Sequence, residues 1–456
     1  MKKIFYMIGL SLMVTSCDFL EQEPTTQIPA GGITTVDDLD TAVNGIYYIA
    51  SYGDSGTLAS EAAIYADLKS GDTRQIGTSS QIASRVAKGQ ITASDSYSFY
   101  YYLYVALANV NVALESAVHI DDPDAEFYIA ELYALRGWLH FELARLFAPI
   151  PTSGSSNTMG IVLSDRVFEI DYRGARASLE DTYKQIVDDL TTAIETEDPY
   201  FEYPNLGHIN YWSALGMRAR AYLYWGKYEK ALEDCKEIIE NSPYSLYSLE
   251  EYASVWGSPE TSEMMFEILQ TDDYNAQRYA PGYYMNPNGY AECAMTDEFY
   301  AFISADDKDV RKDLVKSLTS SSGGNPGYYP LKYPGNIGAS TPMYTNNIKI
   351  MRLSEIYLIA AEAALQSGSA TDAAEYINTL RENRIEDYSE VATVTLDDIL
   401  NERRKELFGE NHMAFDCWRN KRSSGSFDYT DYRTVLPIPI EELYIAGGLL
   451  VQNPGY

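Results

Sequence analysis

The chain has 456 residues, 46% of them hydrophobic, and carries 34 basic against 66 acidic side chains for a formal net charge of −32. That balance opposes a phosphate backbone and largely excludes nucleic acid as a partner, and it argues against adsorption to an anionic lipid surface through protein charge. Four Cys are too few for a disulfide scaffold and four His leave little room for a His-based metal site, whereas 40 Tyr against 14 Phe and 5 Trp supply many rings with a polar tip, suited to a wet surface.

The chain opens with Lys2 and Lys3 followed by an apolar stretch from Ile4 to Val14. This is too short to span a bilayer and has the form of an export signal. It ends in Val14-Thr15-Ser16-Cys17 rather than in an Ala-x-Ala site, which resembles a bacterial lipobox. The expectation is a signal peptide over 1–16, an acylated Cys17 as the new N-terminus, and an acidic, Pro-containing tether to residue 32. Two or more acyl chains would anchor the protein, and no second apolar run is long enough to span.

Beyond the tether the helical signals come in chain order. Thr35-x-x-Asp38 is a capping box, with Leu39, Val43 and Ile46 on one face behind it. Tyr100 to Val118 and Glu126 to Phe147 read as a helix pair. Ser178-x-x-Asp181 opens another helix with Tyr183, Ile186, Leu190 and Ile194 at spacings of three and four. From Asn210 to Pro243 two helices meet at Gly226, with the small residues Ala219 and Ala231 facing each other; this is similar to a tetratricopeptide repeat. A weaker copy runs from Tyr357 to Arg381 around Gly368. Thr395-x-x-Asp398 opens the last helix. Such pairs stack into a curved solenoid, because no single pair can bury its apolar face. The fold class expected is therefore mostly α. Cys235, Cys293 and Cys417 allow at most one disulfide, and Cys235 and Cys417 fall in apolar helical patterns as buried thiols.

From residue 244 to about 350 the pattern changes. The block is rich in Tyr, Gly, Pro, Asn and Ser, and Tyr279 to Tyr290 and Ser321 to Pro330 read as loops. Long loops within an ordered domain tend to carry function. A sugar needs flat aromatic faces for its C–H surfaces and forked polar groups for its hydroxyls. Tyr274, Tyr279, Tyr283, Tyr284 and Tyr290 offer the first, with Asp272, Asp273 and Arg278 nearby.

Five stretches together resemble the SusD/RagB family of Bacteroidetes outer-membrane lipoproteins. They are Cys17 with the run from Thr34, ELYALRGWLHFELARLFAPIP (Glu131 to Pro151), MRLSEIYLIAAEAALQSG (Met351 to Gly368), NERRKELFGENHMAFDCWRN (Asn401 to Asn420), and LPIPIEEL with the terminal QNPGY. The resemblance implies one SusD-like unit over 33–456: helical repeats over 33–243, a loop-rich ligand side over 244–350, and a C-terminal helix pair with an extension over 351–456. It implies a cell-surface, lipid-anchored glycan receptor that passes oligosaccharide to a SusC-like TonB-dependent transporter. A peptide receptor of the RagB kind and a non-binding tetratricopeptide adaptor remain as alternatives. The stretch Asp67 to Arg74 resembles the family's polar loop beside the ligand, which makes Asp72, Arg74 and the following Tyr97 further candidates. Two departures stand out: Tyr100 where the family often has Trp, and Asn411 where Gly is usual. Arg136, Trp138, Arg145, Arg403, Arg404 and Glu406 read as structural, and Trp256 as core.

No G-x-S-x-G, H-E-x-x-H, P-loop or G-x-G-x-x-G is present, so no enzyme, cofactor or metal centre is expected. Asp306-Asp307-Lys308-Asp309 lacks the Gly and distal Glu of a calcium loop and reads as a solvated turn.

Overall fold

The computed structural model describes residues 31–52, 57–76, 81–95, 98–169, 171–196, 198–259, 261–319 and 325–456. Cys17, the signal and most of the tether lie outside them, as does Tyr97. The long helices are α1 (Val36–Ser51), α2 (Ser98–Ala117), α3 (Ala125–Phe147), α4 (Leu179–Glu195), α5 (Tyr211–Trp225), α6 (Tyr228–Asn241), α7 (Leu353–Gln366), α8 (Ala370–Glu382) and α9 (Leu396–Glu406). Each packs on its successor from α1 through α8, and α9 returns onto α7, so the helices form a continuous stack.

Local chemistry starts these helices where the sequence says it should. Thr35 and Thr395 close reciprocal capping boxes with Asp38 and Asp398, and the Ser178 hydroxyl accepts from the Asp181 N–H. Asn210 adds a third box with Ser213, which the sequence pattern had not singled out. Gly226 ends α5 in the left-handed region at φ +76°, turning the chain straight into α6. Ala219, Ala231 and Cys235 are fully buried between the two helices. Cys235, Cys293 and Cys417 are all free and buried.

One pairing differs from expectation. The stretches read as a pair, now α2 and α3, do touch, but α3 lies most extensively along α4. The units are α1/α2, α3/α4, α5/α6 and α7/α8. From Ala134 to Phe147 every side chain of α3 is buried, so this helix has neighbours on all sides and its periodicity cannot name one. Arg136 is held there by Asp189 at 2.6 Å, and Arg145 by Glu142 at 2.5 Å.

The block from 244 to 350 is less loop-like than its composition suggests. It supplies β2 (Met264–Ile268), β3 (Ala294–Met295), β4 (Val315–Leu318), β5 (Gly327–Pro330) and most of β6 (Ile348–Arg352), while β1 is Thr73–Arg74. β2 pairs antiparallel with β6, which runs directly into α7; β1, β3, β5 and β4 form a second sheet in that order. Trp256 is buried against Tyr247 and Tyr252, with its indole N–H donating to the Tyr252 carbonyl at 2.7 Å. The Asp306–Asp309 turn is solvated only in part: Asp309 is fully buried and bonded to Arg311 and Lys405.

Buried ion pairs bind the C-terminal segments to the stack. Arg403 bonds Asp416 at 2.7 Å, and the Glu406 carboxylate receives Arg352, Arg384 and Arg311. Asn411 stands at φ +67°, a conformation that Gly adopts freely and Asn tolerates best among the others. Its amide donates to the Ala62 carbonyl and accepts from the Ala66 N–H, both at 2.7 Å, a tie that Gly could not make.

Burial alone would push Asp189, Asp309, Glu402, Glu406 and Asp416 upward, but the arginines beside them hold all five below the usual carboxylate range. A depressed carboxylate stabilises the fold above its unfolded pKa and loses that contribution as pH falls through the folded one. Through these five groups the urea midpoint should fall steeply from about pH 4.5 downward. A midpoint that is the same at about pH 3 as at about pH 6 contradicts this account.

Candidate functional site

Two segments more than two hundred positions apart meet along one strand pairing. Arg74 opposes Ala294 and Thr73 opposes Met295. The ladder is extended on one side by the Ile76 N–H donating to the Ala291 carbonyl at 3.0 Å, and on the other by the Thr296 N–H donating to Asp72 at 2.8 Å. Arg74 and Tyr290 are thereby delivered to the same neighbourhood.

The tyrosines cluster at the Ala291 end of this ladder. The short helix Pro281–Met285 begins with Pro at its first position, where the missing N–H costs nothing. The chain turns back so that the Tyr290 N–H reaches the Tyr283 carbonyl at 3.0 Å. Tyr283 and Tyr290 meet edge to face at 4.7 Å between centroids, and Tyr344 lies against Tyr283 at 5.4 Å. Arg278 is exposed, hydrogen-bonds Tyr344, and sits close to Tyr283 and Tyr290; Tyr279 is 40% exposed beside them. Tyr283, Tyr290 and Tyr344 are each half-buried, rings fixed on one side and open on the other. Burial, with Tyr283 next to it, raises the Tyr290 phenol above its ordinary pKa, so it is neutral and able to donate.

At the Thr296 end, Arg74 reaches Asp297 at 3.3 Å while 40% of its side chain stays exposed. Its Nε and the Gln75 side-chain nitrogen are buried and have no partner among the described residues. Tyr300 and Tyr328 stack face to face at 3.6 Å with planes 5° apart.

Several expected residues are placed elsewhere. Tyr284 is fully buried and its hydroxyl donates to Glu61, so it belongs to the core and cannot touch a ligand at the surface. Asp72 is 3% exposed and bound by Arg404 with Nε at 2.9 Å; it anchors the start of β1. The first residue of the expected polar loop is likewise interior: Asp67 is fully buried and accepts from the Gly409 and Asn411 N–H groups, each at 2.9 Å. Asp272 is exposed but committed, accepting from Ser340 and Thr341, and those bonds hold its pKa below the usual range. Tyr274 is 59% exposed, yet its ring meets Tyr48 of α1 rather than the other four. Sequence reasoning missed Tyr300, Tyr328 and Tyr344. In Gly327–Pro330 the alternation of half-buried Tyr328 with buried Tyr329 was the available signal.

The assembled face offers rings and forked donors. Among the described residues, no group of three or more His, Cys, Asp or Glu could hold a metal ion, and no helix is long and apolar enough to cross a membrane.

Comparison with known proteins agrees with this architecture. Residues 270–434 match the SusD family model, and residues 18–223 match a model described as starch-binding, associating with the outer membrane. Both models are of the SusD kind, and between them they match most of the chain. SusD-like protein P2 of Formosa agariphila is 26% identical over 98% of both chains, and SusD-like protein P25 of the same organism is 24% identical over the whole of both. A SusD superfamily protein from Bacteroides thetaiotaomicron superposes with a TM-score of 0.85 at 29% identity, covering 92% of this chain and 100% of its own. A putative sugar binding protein from Bacteroides vulgatus gives 0.84 at 28%, covering 93% and 99%. A laminarin binding SusD-like protein gives 0.76 at 22%, a likeness of fold. The family's SusD-like members are carbohydrate-binding proteins associated with the outer membrane.

Proposed function

We propose that this SusD-like protein captures a neutral or weakly charged oligosaccharide on the face that runs from Arg74 and the Tyr300–Tyr328 stack to Tyr283, Tyr290 and Arg278. It then hands the sugar to a SusC-like TonB-dependent transporter, while acyl chains on Cys17 hold it to the outer membrane. The observation that carries this reading is the β1–β3 pairing, which brings ring faces and the part-exposed Arg74 guanidinium from distant segments to one surface. The starch-binding description of the matching family model and the sugar-binding description of the Bacteroides vulgatus relative support the ligand class. Rings fixed on one side lose little entropy on binding, and Arg satisfies the hydroxyls that a sugar must desolvate. The overall charge of −32 disfavours a strongly anionic glycan.

Calorimetry against a panel of polysaccharides and peptides tests the reading. Tyr283→Ala and Tyr290→Ala should each weaken glycan binding by about tenfold, or about 1.4 kcal/mol. Unchanged glycan affinity in both variants, or binding of peptides alone, defeats it.

A further inference from the structure

A second cleft lies apart from that face. It has a volume of about 530 Å³, within the range of small-molecule sites, and opens between α1, the turn at Gly207–His208 and the segment following β2. Its floor is apolar: Tyr52 is 9% exposed and Ile268 4%. The Tyr52 hydroxyl, donating to the Leu269 carbonyl, ties α1 to the segment after β2. One wall is a pair of touching tyrosines from different elements. Tyr48 rises from α1, 46% exposed, and Tyr274 from the loop opposite, 59% exposed. Their rings stand edge to face at 5.8 Å and 86°, and Tyr48 also leans on Tyr52 at 5.5 Å.

The polar groups of the cleft are few and mostly held in place. The buried Glu131 carboxylate accepts from the Tyr47 hydroxyl at 2.7 Å and bonds His208 Nδ1 at 2.8 Å. Tyr47 is fixed again from behind, where the Ile209 N–H donates to its oxygen at 2.7 Å. The imidazole therefore has one orientation, with Nε2 lacking any protein partner among the described residues. Asn44, Ser51 and Thr271 complete the polar lining. Among the described residues, no Asp, Glu, Lys or Arg lines the cleft, and the titratable cation there, His208, is balanced by Glu131.

We infer that this cleft is a second carbohydrate site, taking one uncharged sugar unit against the exposed faces of the Tyr48–Tyr274 pair with His208 Nε2 at its hydroxyl rim. Paired half-exposed rings over an apolar floor suit the C–H face of a pyranose. The lack of net charge in the lining suits a ligand that carries none. The inference goes beyond the proposed capture face and uses none of its contact residues. A polysaccharide held at two places on one protein gains effective concentration at each, provided its length spans them.

The experiment is calorimetric titration of the full chain in detergent with laminarihexaose, maltohexaose, cellohexaose and mannohexaose, alongside Tyr48→Ala, Tyr274→Ala and Tyr290→Ala. Tyr48→Phe and Tyr274→Phe keep the rings and serve as folding-matched controls. The expected result is that at least one hexasaccharide shows a binding event that Tyr48→Ala and Tyr274→Ala each weaken by about tenfold, that the Phe variants retain, and that Tyr290→Ala leaves in place. Because Tyr48 and Tyr274 are exposed, melting temperatures should stay unchanged. The inference is overturned if no hexasaccharide shows such an event, or if the cleft variants lose peptide binding instead. If every event observed is lost with Tyr290→Ala and none with the cleft variants, the capture face stands and this inference is overturned; if every event is lost with the cleft variants and none with Tyr290→Ala, this inference stands and the capture face is overturned.

Discussion

Replacing Glu406 by Ala is expected to destabilise the protein by about 3–5 kcal/mol, the range for breaking a buried ion cluster from one side. Glu406 is fully buried at the end of α9. Its carboxylate receives Arg352 at 3.0 Å, Arg384 at 3.0 Å and Arg311 at 3.4 Å, while its carbonyl accepts from Lys332. Glu263 and Glu410 share Arg352, Glu263 also holds Arg384, and Glu402 holds Arg311. The cost of removing Glu406 comes less from lost attraction than from three guanidinium groups left facing one another without water. Burial would raise the Glu406 pKa, but the three arginines hold it well below the usual range, which marks the same coupling from the acid's side. Glu406→Gln keeps the shape and removes the charge; it should lose most of the same amount. By contrast, breaking the exposed pair Lys184–Asp188 should leave the urea midpoint close to unchanged. Urea titrations with unchanged m-values test both. A Glu406→Ala loss below about 1 kcal/mol would show the cluster to be indifferent to its central carboxylate.

The frame was legible in the sequence because its signals are local. A capping box needs residues three apart, and Gly226 needs only its own backbone conformation, so Thr35, Ser178, Thr395 and Gly226 could be placed without knowing what they pack against. Asn411 could be seen to stand where Gly is usual; the left-handed φ and the bonds to Ala62 and Ala66 that explain it depend on distant chain. The site was legible only as composition. Tyr283 and Tyr284 are neighbours in a five-residue helix, where one step turns a side chain by roughly 100°, sending Tyr283 outward and Tyr284 to Glu61. So short an element has too few residues for periodicity to say which is which. β1 and β3 have two residues each, too few to show alternation, and their pairing joins segments that no local rule connects. Asp72 looked like a ligand contact for the same reason: its partner, Arg404, lies at the other end of the chain.

Gly289→Ala is expected to disable the capture face while leaving the helical stack folded. A Cβ added at Gly289 would stand 2.1 Å from the Tyr283 carbonyl oxygen and 3.1 Å from its carbonyl carbon. Both are backbone atoms, so no side-chain rotation relieves the clash, and the turn itself must open. That turn is what places the rings: the Gly289 N–H reaches Asn286 at 2.9 Å, and the Tyr290 N–H reaches Tyr283 at 3.0 Å. Opening it separates Tyr283 from Tyr290 and breaks their edge-to-face contact at 4.7 Å. Because the strain is confined to a short turn, the stability cost should stay near about 1–3 kcal/mol. Glycan affinity at this face should fall by about tenfold or more, at least as far as with Tyr290→Ala, since both rings move together. Gly45 provides the opposite case. It lies within α1 with nothing within 4 Å of an added Cβ, so Gly45→Ala should stabilise the helix by about 0.5–1 kcal/mol and leave binding alone. A Gly289→Ala protein that binds as tightly as Gly45→Ala would mean that the Tyr283–Tyr290 geometry is not what the ligand reads.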